Sequence, residues 1–543
     1  MCKKSRLEVN YADLGYFYCD LKPFEMKKLL IGLCTLAFAG GASAQNQPPV
    51  LEQLLTNVDP NAGILHVTYS VSDPENDPLE VHLQFSSDGG RSFSLGLPAT
   101  GDLGFPVTPG TDKKVDVDIN ALTGLNGNYR VRLIVLDQKP FDVAALVGLV
   151  DSNRMRSDLD FIEGIRHRTG GAAHLQAVRD SIQNLFYTLE LHTAQQDFAF
   201  SNATGYNYMG TLPGTLYADT VVIIDAHYDT VVNSPGADDN GSGVAGVMEA
   251  ARLLSRFPAD KSLRFIGFDL EESGLIGSTQ YVANFLPADE HIAGVLNFEM
   301  IGYFSQAPNS QTLPAGFNLL FPDAYNAVAA QQFRGNFITN VGNAKSAALV
   351  DLFDQSAATY VPNLRVVSLK APGNSEVAPD LRRSDHTPFW QAGISALMIT
   401  DGANFRNACY HTAKDTAEDK LTFSFMADVL RATIATAAQM AGSKHGDWAT
   451  APFSALVPTN TVPSNPCSMQ VRREGNRLAV RFEHCPIEQA QLELYNTQGQ
   501  MLFQSSVQTN TDIQWVNLPL LASGTYLVQI RSRSGTQTAR FNY

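Results

Sequence analysis

The chain has 543 residues, of which 44% are hydrophobic and 17% charged. At roughly 100–200 residues per domain this is enough for several cores, and the composition excludes a disordered, collagenous or coiled-coil protein. Lys and Arg number 39 against 54 Asp and Glu, a formal net charge of −15. That balance counts against nucleic-acid binding through a phosphate-neutralising surface.

In chain order, residues 1–25 match no targeting pattern and read as a mis-assigned extension ahead of a true start at Met26. A genuine cytoplasmic extension is the alternative, and it leaves the next signal internal. Met26-Lys27-Lys28, the apolar run LLIGLCTLAFAGG and Ala42-Ser43-Ala44 read as a secretory signal peptide over 26–44. The run is too short to span a bilayer, so no stable membrane span is expected in the mature chain. Leu33 before Cys34 speaks against a lipoprotein cleavage box. Cleavage after Ala44 leaves Cys409, Cys467 and Cys485. In an exported chain the last two are candidates for a disulfide, with Cys409 left over as a buried thiol.

Residues 47–140 read as β-structure, because VTYSVSD, LEVHLQFSS and YRVRLIVLD alternate apolar and polar side chains. DPENDP, SDGG and GLNG mark turns, and an immunoglobulin- or fibronectin-like β-sandwich fits. DPENDP is acidic enough to suggest calcium but lacks a ligand-loop spacing, so it reads as a turn. Residues 146–445 alternate apolar strand-like runs (VVIIDAHYD, LRFIGFDLE, VLNFEMIGY) with helix-like stretches such as GVAGVMEAARLLSRF. This predicts a central α/β domain with a mixed sheet flanked by helices. Residues 446–466 are rich in Pro, Thr and Ser and read as a linker. Residues 467–543 return to β, with strands expected at LAVRFE, AQLELYN, QMLFQSS and GTYLVQIRS in a small sandwich.

The chemistry sits at the strand ends of the central domain. His227 and Asp229 close VVIIDAHYD, and Asp239 follows in GADDNGSG before a helix. Glu271 and Glu272 close LRFIGFDLEE, Glu299 closes VLNFE, and His411 lies in CYHTAKDT. In an open α/β sheet, ligands bind beyond the carboxyl ends of the strands. Mixed nitrogen and oxygen donors suit zinc, with manganese or cobalt also compatible. His227, Asp239, Glu272, Glu299 and His411 make five donors, enough for two ions if one carboxylate is shared. Glu271 is then free to act as a general base. GADDNGSG alone reads equally as a helix-capping turn; it has no phosphate-loop Lys, and the chain has no G-x-S-x-G elbow.

Taken together, HYDT, GADDNGSG, FDLEESGLIGS, NFEMIGY, RRSDHTPF and YHTAKDT resemble the co-catalytic zinc peptidases of clan MH, the secreted aminopeptidases related to glutamate carboxypeptidase. The resemblance covers roughly residues 150–445. It implies two zinc ions per chain, with His227 on one, Asp239 bridging both, and Glu272 with His411 on the second. It implies a general-base role for Glu271, acting through a hydroxide shared by the ions, and an orienting role for Asp229 toward His227. Tyr410 resembles the family tyrosine that stabilises the developing oxyanion. The family usually has Asp where this chain has Glu299, whose extra methylene changes its reach. His386 is a further polar candidate for lining the pocket.

The implied reaction is hydrolysis of N-terminal peptide bonds in peptides or proteins with a free amine. A glutaminyl cyclase, using one zinc for acyl transfer, is the alternative, but those enzymes carry Asp-Ser where this chain has Asp239-Asn240. A non-catalytic relative would have lost ligands, and none is missing. LELYNTQGQMLFQ, LPLLASGTYLVQIRS and TARFNY resemble the C-terminal sorting domains of the Bacteroidetes type IX secretion system. That resemblance implies the type IX machinery as a partner and a secreted or cell-surface location.

Overall fold

The computed structural model describes residues 46–93, 96–122, 128–418 and 420–453, then 468–474, 477–483, 489–495, 501–508, 514–518, 521, 525–532 and 535–542. The expected upstream extension and signal peptide, residues 454–466 of the expected linker, and both Cys467 and Cys485 lie outside the described residues. The chain divides between Leu456 and Val457 into two compact units.

The first unit opens with β1 (Val50–Asp59), β2 (Ile64–Ser72), β3 (Leu79–Ser86), β4 (Ala99–Gly101), β5 (Gly104–Val107), β6 (Gly110–Asp118) and β7 (Tyr129–Leu136). With β16 (Gly446–Phe453) they form two four-stranded sheets, ordered β1-β2-β6-β4 and β16-β7-β3-β5. Period-two alternation sends Leu65, Val67, Tyr69 and Val71 of β2 into one core with Val115, Val117, Val131, Leu133 and Val135. The DPENDP segment is a turn: Asp77 N donates to Asp73 Oδ1 at 2.9 Å and Asn76 N to Asp73 O at 3.1 Å.

Strand β16 corrects the linker expectation for residues 446–453. It pairs antiparallel with β7, Gly446 opposite Leu136 through Phe453 opposite Tyr129. Pro452 is tolerated because β16 lies at the sheet edge, where a missing N–H breaks no inner ladder. Trp448 donates its indole N–H to Ser255 O at 2.8 Å, on the central domain. Arg132, on the same outer face of β7, donates to Pro213 O at 2.6 Å and Gly214 O at 3.0 Å. The two-sheet region is therefore docked on the central domain through buried, satisfied polar groups rather than hung from it.

The central domain is built on β8 (His192–Phe200), β9 (Ala203–Leu212), β10 (Tyr217–His227), β11 (Lys261–Phe268), β12 (His291–Phe298), β13 (Ile338–Asn343), β14 (Val366–Ala371) and β15 (Ala396–Thr400). The eight-stranded sheet has the order β14-β13-β15-β12-β10-β11-β9-β8. Strands β15, β12, β10 and β11 run parallel at its centre, whereas β9 and β13 pair antiparallel with β11 and β15, so the sheet is mixed. Both faces are covered, which explains the near-continuous apolar runs. Val222, Ile224 and Ala226 of β10 face helices α1 (Ala172–Thr188), α2 (Gly243–Leu254) and α3 (Phe423–Ala441) in one core. Val221 and Ile223 face Tyr281, Phe389 and Trp390 in another.

The second unit holds β17 (Ser468–Glu474), β18 (Arg477–Glu483), β19 (Gln489–Tyr495), β20 (Met501–Gln508), β21 (Gln514–Asn517), β22 (Thr525–Ser532) and β23 (Gly535–Asn542). They form a three-stranded sheet β17-β18-β21 and a four-stranded sheet β20-β19-β22-β23. Leu478, Val480, Leu492, Leu494, Val516, Val528 and Ile530 make its core. Among the described residues no helix is long and apolar enough to cross a membrane.

Candidate metal centre

Three parallel strands end side by side and deliver the chemistry to one rim. β10 ends on His227, β11 ends three residues before Glu271, and β12 ends one residue before Glu299. His411 arrives on the loop ahead of α3. Two groups result whose ligand atoms lie within 4.8 Å of one another: His227, Glu271 and Glu299, and Asp239, Glu272 and His411. Asp239 also faces the first group, with Oδ1 3.5 Å from His227 Nε2. Its Oδ2 lies 3.0 Å from His411 Nε2, which is also 3.0 Å from Glu272 Oε2. Glu299 Oε2 lies 3.5 Å and Glu271 Oε2 3.9 Å from His227 Nε2. All five expected donors and Glu271 thus meet in one place.

The ring of His227 is set by its other nitrogen. Nδ1 donates to the backbone carbonyl of Asp229 at 3.2 Å, leaving Nε2 as the free donor atom toward the cluster. The Asp229 carboxylate stands 3.5 Å from the same Nδ1, and its oxygens accept instead from the amides of Glu271 at 3.0 Å and Glu272 at 3.3 Å. Asp229 therefore ties the β10 and β11 loops together while standing beside the imidazole it was expected to orient. Tyr410 stacks on His411 with ring centroids 3.8 Å apart, and its hydroxyl accepts from Arg383 Nη2 at 3.0 Å.

Arg383 and three further residues escaped the sequence reading. Arg166 is fully buried and spends its guanidinium on the carbonyls of Tyr228, Ile162, Gly164, Pro235 and Gly236. It clamps the backbone after His227 to the backbone before Asp239. Asp415 accepts from the amides of Asp238 and Asp239, both at 3.1 Å. Ser384 donates to Glu299 Oε2 at 2.7 Å. Asp415 and Ser384 stood in quoted motifs, but Arg166 had no local signal because its partners are main-chain oxygens. His386 is corrected: it is fully buried, with Nε2 donating to Leu381 O at 2.9 Å and its ring edge-on to Trp390, and it does not line the cavity beside the cluster.

The electrostatics are those of a cage with surplus negative charge. Burial would push His227 down, but Glu271, Asp229, Asp239 and Glu299 outweigh it and hold the imidazole well above its usual range. His411 is likewise depressed by burial and raised overall to about 10 by Asp239 and Glu272. Burial raises Glu271 well above the ordinary carboxylate range, with Glu299, Asp385 and Glu272 adding to it. Glu272 is pushed up to about 7 by burial and by Asp239. Burial opposes ionisation of Asp239 too, yet the two imidazoles hold it below its usual value. Crowded acids beside imidazoles make a donor set suited to cations. Glu272 Oε1 is buried with no hydrogen-bond donor, while Oε2 of the same carboxylate lies 3.0 Å from His411 Nε2. The donor set and this orphaned oxygen fit divalent ions such as zinc.

An open-mouthed cavity adjoins the cluster. Glu299, Tyr410 and Arg383 line it, together with a set of apolar side chains that includes Leu313, Phe317, Phe337, Val341, Leu369 and Met398.

Comparison with known proteins identifies two families along the chain. Peptidase family M28 matches residues 207–434, and a secretion system C-terminal sorting domain matches residues 475–542. The uncharacterised protein YfbL of Escherichia coli is 33% identical over 276 residues, covering 48% of this chain and 79% of that one. Aminopeptidase YwaD of Bacillus subtilis is 42% identical over 234 residues, covering 40% of this chain and 41% of the relative. Among solved structures, BSAP, a zinc aminopeptidase from Bacillus subtilis, is 25% identical with a TM-score of 0.35, covering 46% of this chain and 54% of that one. The chain thus spans about half the length, or less, of these last two proteins.

Proposed function

The chain belongs to peptidase family M28 and carries a secretion-system sorting domain, and from that premise we propose that it is an exported two-zinc aminopeptidase. Its substrates are peptides or proteins with a free N-terminus, and the bond cut is the first peptide bond. One observation carries the proposal: two ligand clusters share the carboxylate of Asp239. His227, Asp239 and Glu299 would hold one ion, and Asp239, Glu272 and His411 the other. When bound, such ions supply Lewis acidity and a strongly acidified water.

The remaining work falls to side chains of the chain itself. Glu271 takes a proton as water adds to the carbonyl carbon and returns it to the nitrogen as the C–N bond breaks. The Tyr410 hydroxyl, with Arg383 donating to its oxygen, keeps its own proton for the carbonyl oxygen as that oxygen gains charge. The apolar side chains of the cavity take the first side chain, and Glu299, which also lines it, faces the substrate's ammonium group. The two N-terminal sheets fit an immunoglobulin- or fibronectin-like sandwich, and the sorting domain supports type IX export to the cell surface or beyond.

The cyclase alternative has less support, because it needs only one ion and leaves the His227 cluster without a use. A panel of aminoacyl chromogenic substrates tests the proposal, with and without chelator and with the amine free or acetylated. Free-amine substrates should be cleaved, and chelator or acetylation should abolish cleavage. Equal cleavage of acetylated substrates, or ammonia release from N-terminal glutamine in place of hydrolysis, would reject it.

A further inference from the structure

Glu299 is held by more than the strand that carries it. Its amide donates to Ile399 O at 3.0 Å, fixing the backbone where β12 ends beside β15. Beyond that point its side chain has one more rotatable bond than the aspartate usual in the resemblance. The Oε2 atom that faces His227 Nε2 at 3.5 Å is the atom that accepts from Ser384 Oγ at 2.7 Å. A hydroxyl donating to a carboxylate is a short, strong hydrogen bond, and it is stronger away from water. Ser384 is fully buried, and its own carbonyl accepts from Thr387 N at 3.1 Å, so the donor is anchored by the helical turn over residues 386–391. The arrangement settles which way the longer acid points: one lone pair of Oε2 is occupied by the serine, and the carboxylate is turned toward His227.

We propose that Ser384 is a positioning residue that fixes Glu299 for the ion shared with His227, and that this hydroxyl lets a glutamate serve where an aspartate would be self-positioning. The proposal rests on the two-ion assignment above. It predicts unequal consequences for the two ions, since Ser384 makes no hydrogen bond to Glu272 or His411.

The test is calorimetric titration of zinc into the metal-free full-length chain, with melting of the metal-free form as a control for folding. Ser384→Ala should weaken one of the two ions by about 10–100-fold, the range for loss of an outer hydrogen-bond partner, and leave the other unchanged. Ser384→Thr, which keeps the hydroxyl, should restore most of the loss. In a Glu299→Asp background, where the carboxylate is drawn back by a methylene, Ser384→Ala should add little further loss. Wild-type affinity for both ions in Ser384→Ala would overturn the proposal. So would equal weakening of both ions with a lowered melting temperature, which would mark a purely structural role. Wild-type protein that takes up fewer than two ions would remove the two-ion assignment itself, an outcome separable from the other two.

Discussion

Asp239 stands between two imidazoles, with Oδ1 3.5 Å from His227 Nε2 and Oδ2 3.0 Å from His411 Nε2. Each oxygen serves a different cluster, so one carboxylate couples both. Asp239→Asn removes the charge and half of the donor capacity while keeping the shape. Metal analysis of the dialysed variant should give fewer than one ion per chain. Activity should fall by at least about 100-fold, beyond what loss of an outer partner causes. Two tightly held ions in the variant would show that the carboxylate is not shared.

Glu271 lies in the same cluster, but its assigned work is on a proton rather than an ion. Glu271→Gln keeps the volume and removes the proton acceptor. Turnover should fall by about 10²–10⁴-fold while metal content stays at the wild-type value. Loss of the metals along with activity would make Glu271 a ligand instead.

The Arg383–Tyr410 contact gives a paired test. Tyr410→Phe should lower kcat by about 10²–10³-fold, the range for one oxyanion donor, and move KM little. Arg383→Gln should cause a smaller loss of the same kind. In the double variant the arginine change should add almost nothing, because its partner oxygen is gone. Full additivity would mean that Arg383 acts elsewhere, for instance on Asn404 Oδ1, to which it donates at 2.9 Å.

The apolar lining of the cavity predicts the first residue. Substrates beginning with Leu or Phe should be cleaved with higher kcat/KM than those beginning with Ala or Gly. Val341→Phe places a ring where that side chain would go. It should cut kcat/KM for Leu and Phe substrates by about 10-fold or more and spare Ala. A uniform loss across all substrates would point to disturbance of the sheet rather than of the cavity.

What was legible in the sequence, and what was not, divides along a physical line. The apolar runs ending in His227, Glu271-Glu272 and Glu299 announce themselves because a sheet buried on both faces needs unbroken hydrophobic strands, and only their ends are free to carry charge. Arg166, Arg383 and Ser384 act through contacts that no spacing encodes: carbonyls of Tyr228 and Gly236, the hydroxyl of Tyr410, the carboxylate of Glu299. Strand β16 hides for the same reason. Its Pro- and Thr-bearing stretch makes a strand only because β7, some three hundred residues upstream, offers a matching edge. Asp229 shows a partial reading: its spacing from His227 suggested an imidazole partner, and its carboxylate does stand 3.5 Å from Nδ1, but its contacts to two amides of the next loop had no signal in the spacing.

His386 links pH to stability. Burial holds its imidazole down to about 4, although donation to Leu381 O works the other way. In the unfolded chain the group titrates near its ordinary 6.5. Above that pH both states are neutral, and the full stabilisation is present. As pH falls from 6.5 toward 4, the unfolded chain binds a proton that the folded chain refuses, and stability drops by about 3 kcal/mol in all. His386→Gln keeps an amide that can donate to Leu381 O but cannot charge. Urea denaturation followed by tryptophan fluorescence should therefore show a shallower loss of stability between pH 6.5 and 4 in the variant than in the wild type. Above pH 7 the two should differ only by a constant offset from the lost ring contact with Trp390. Parallel profiles across the acid range would mean that the buried imidazole accepts its proton in place.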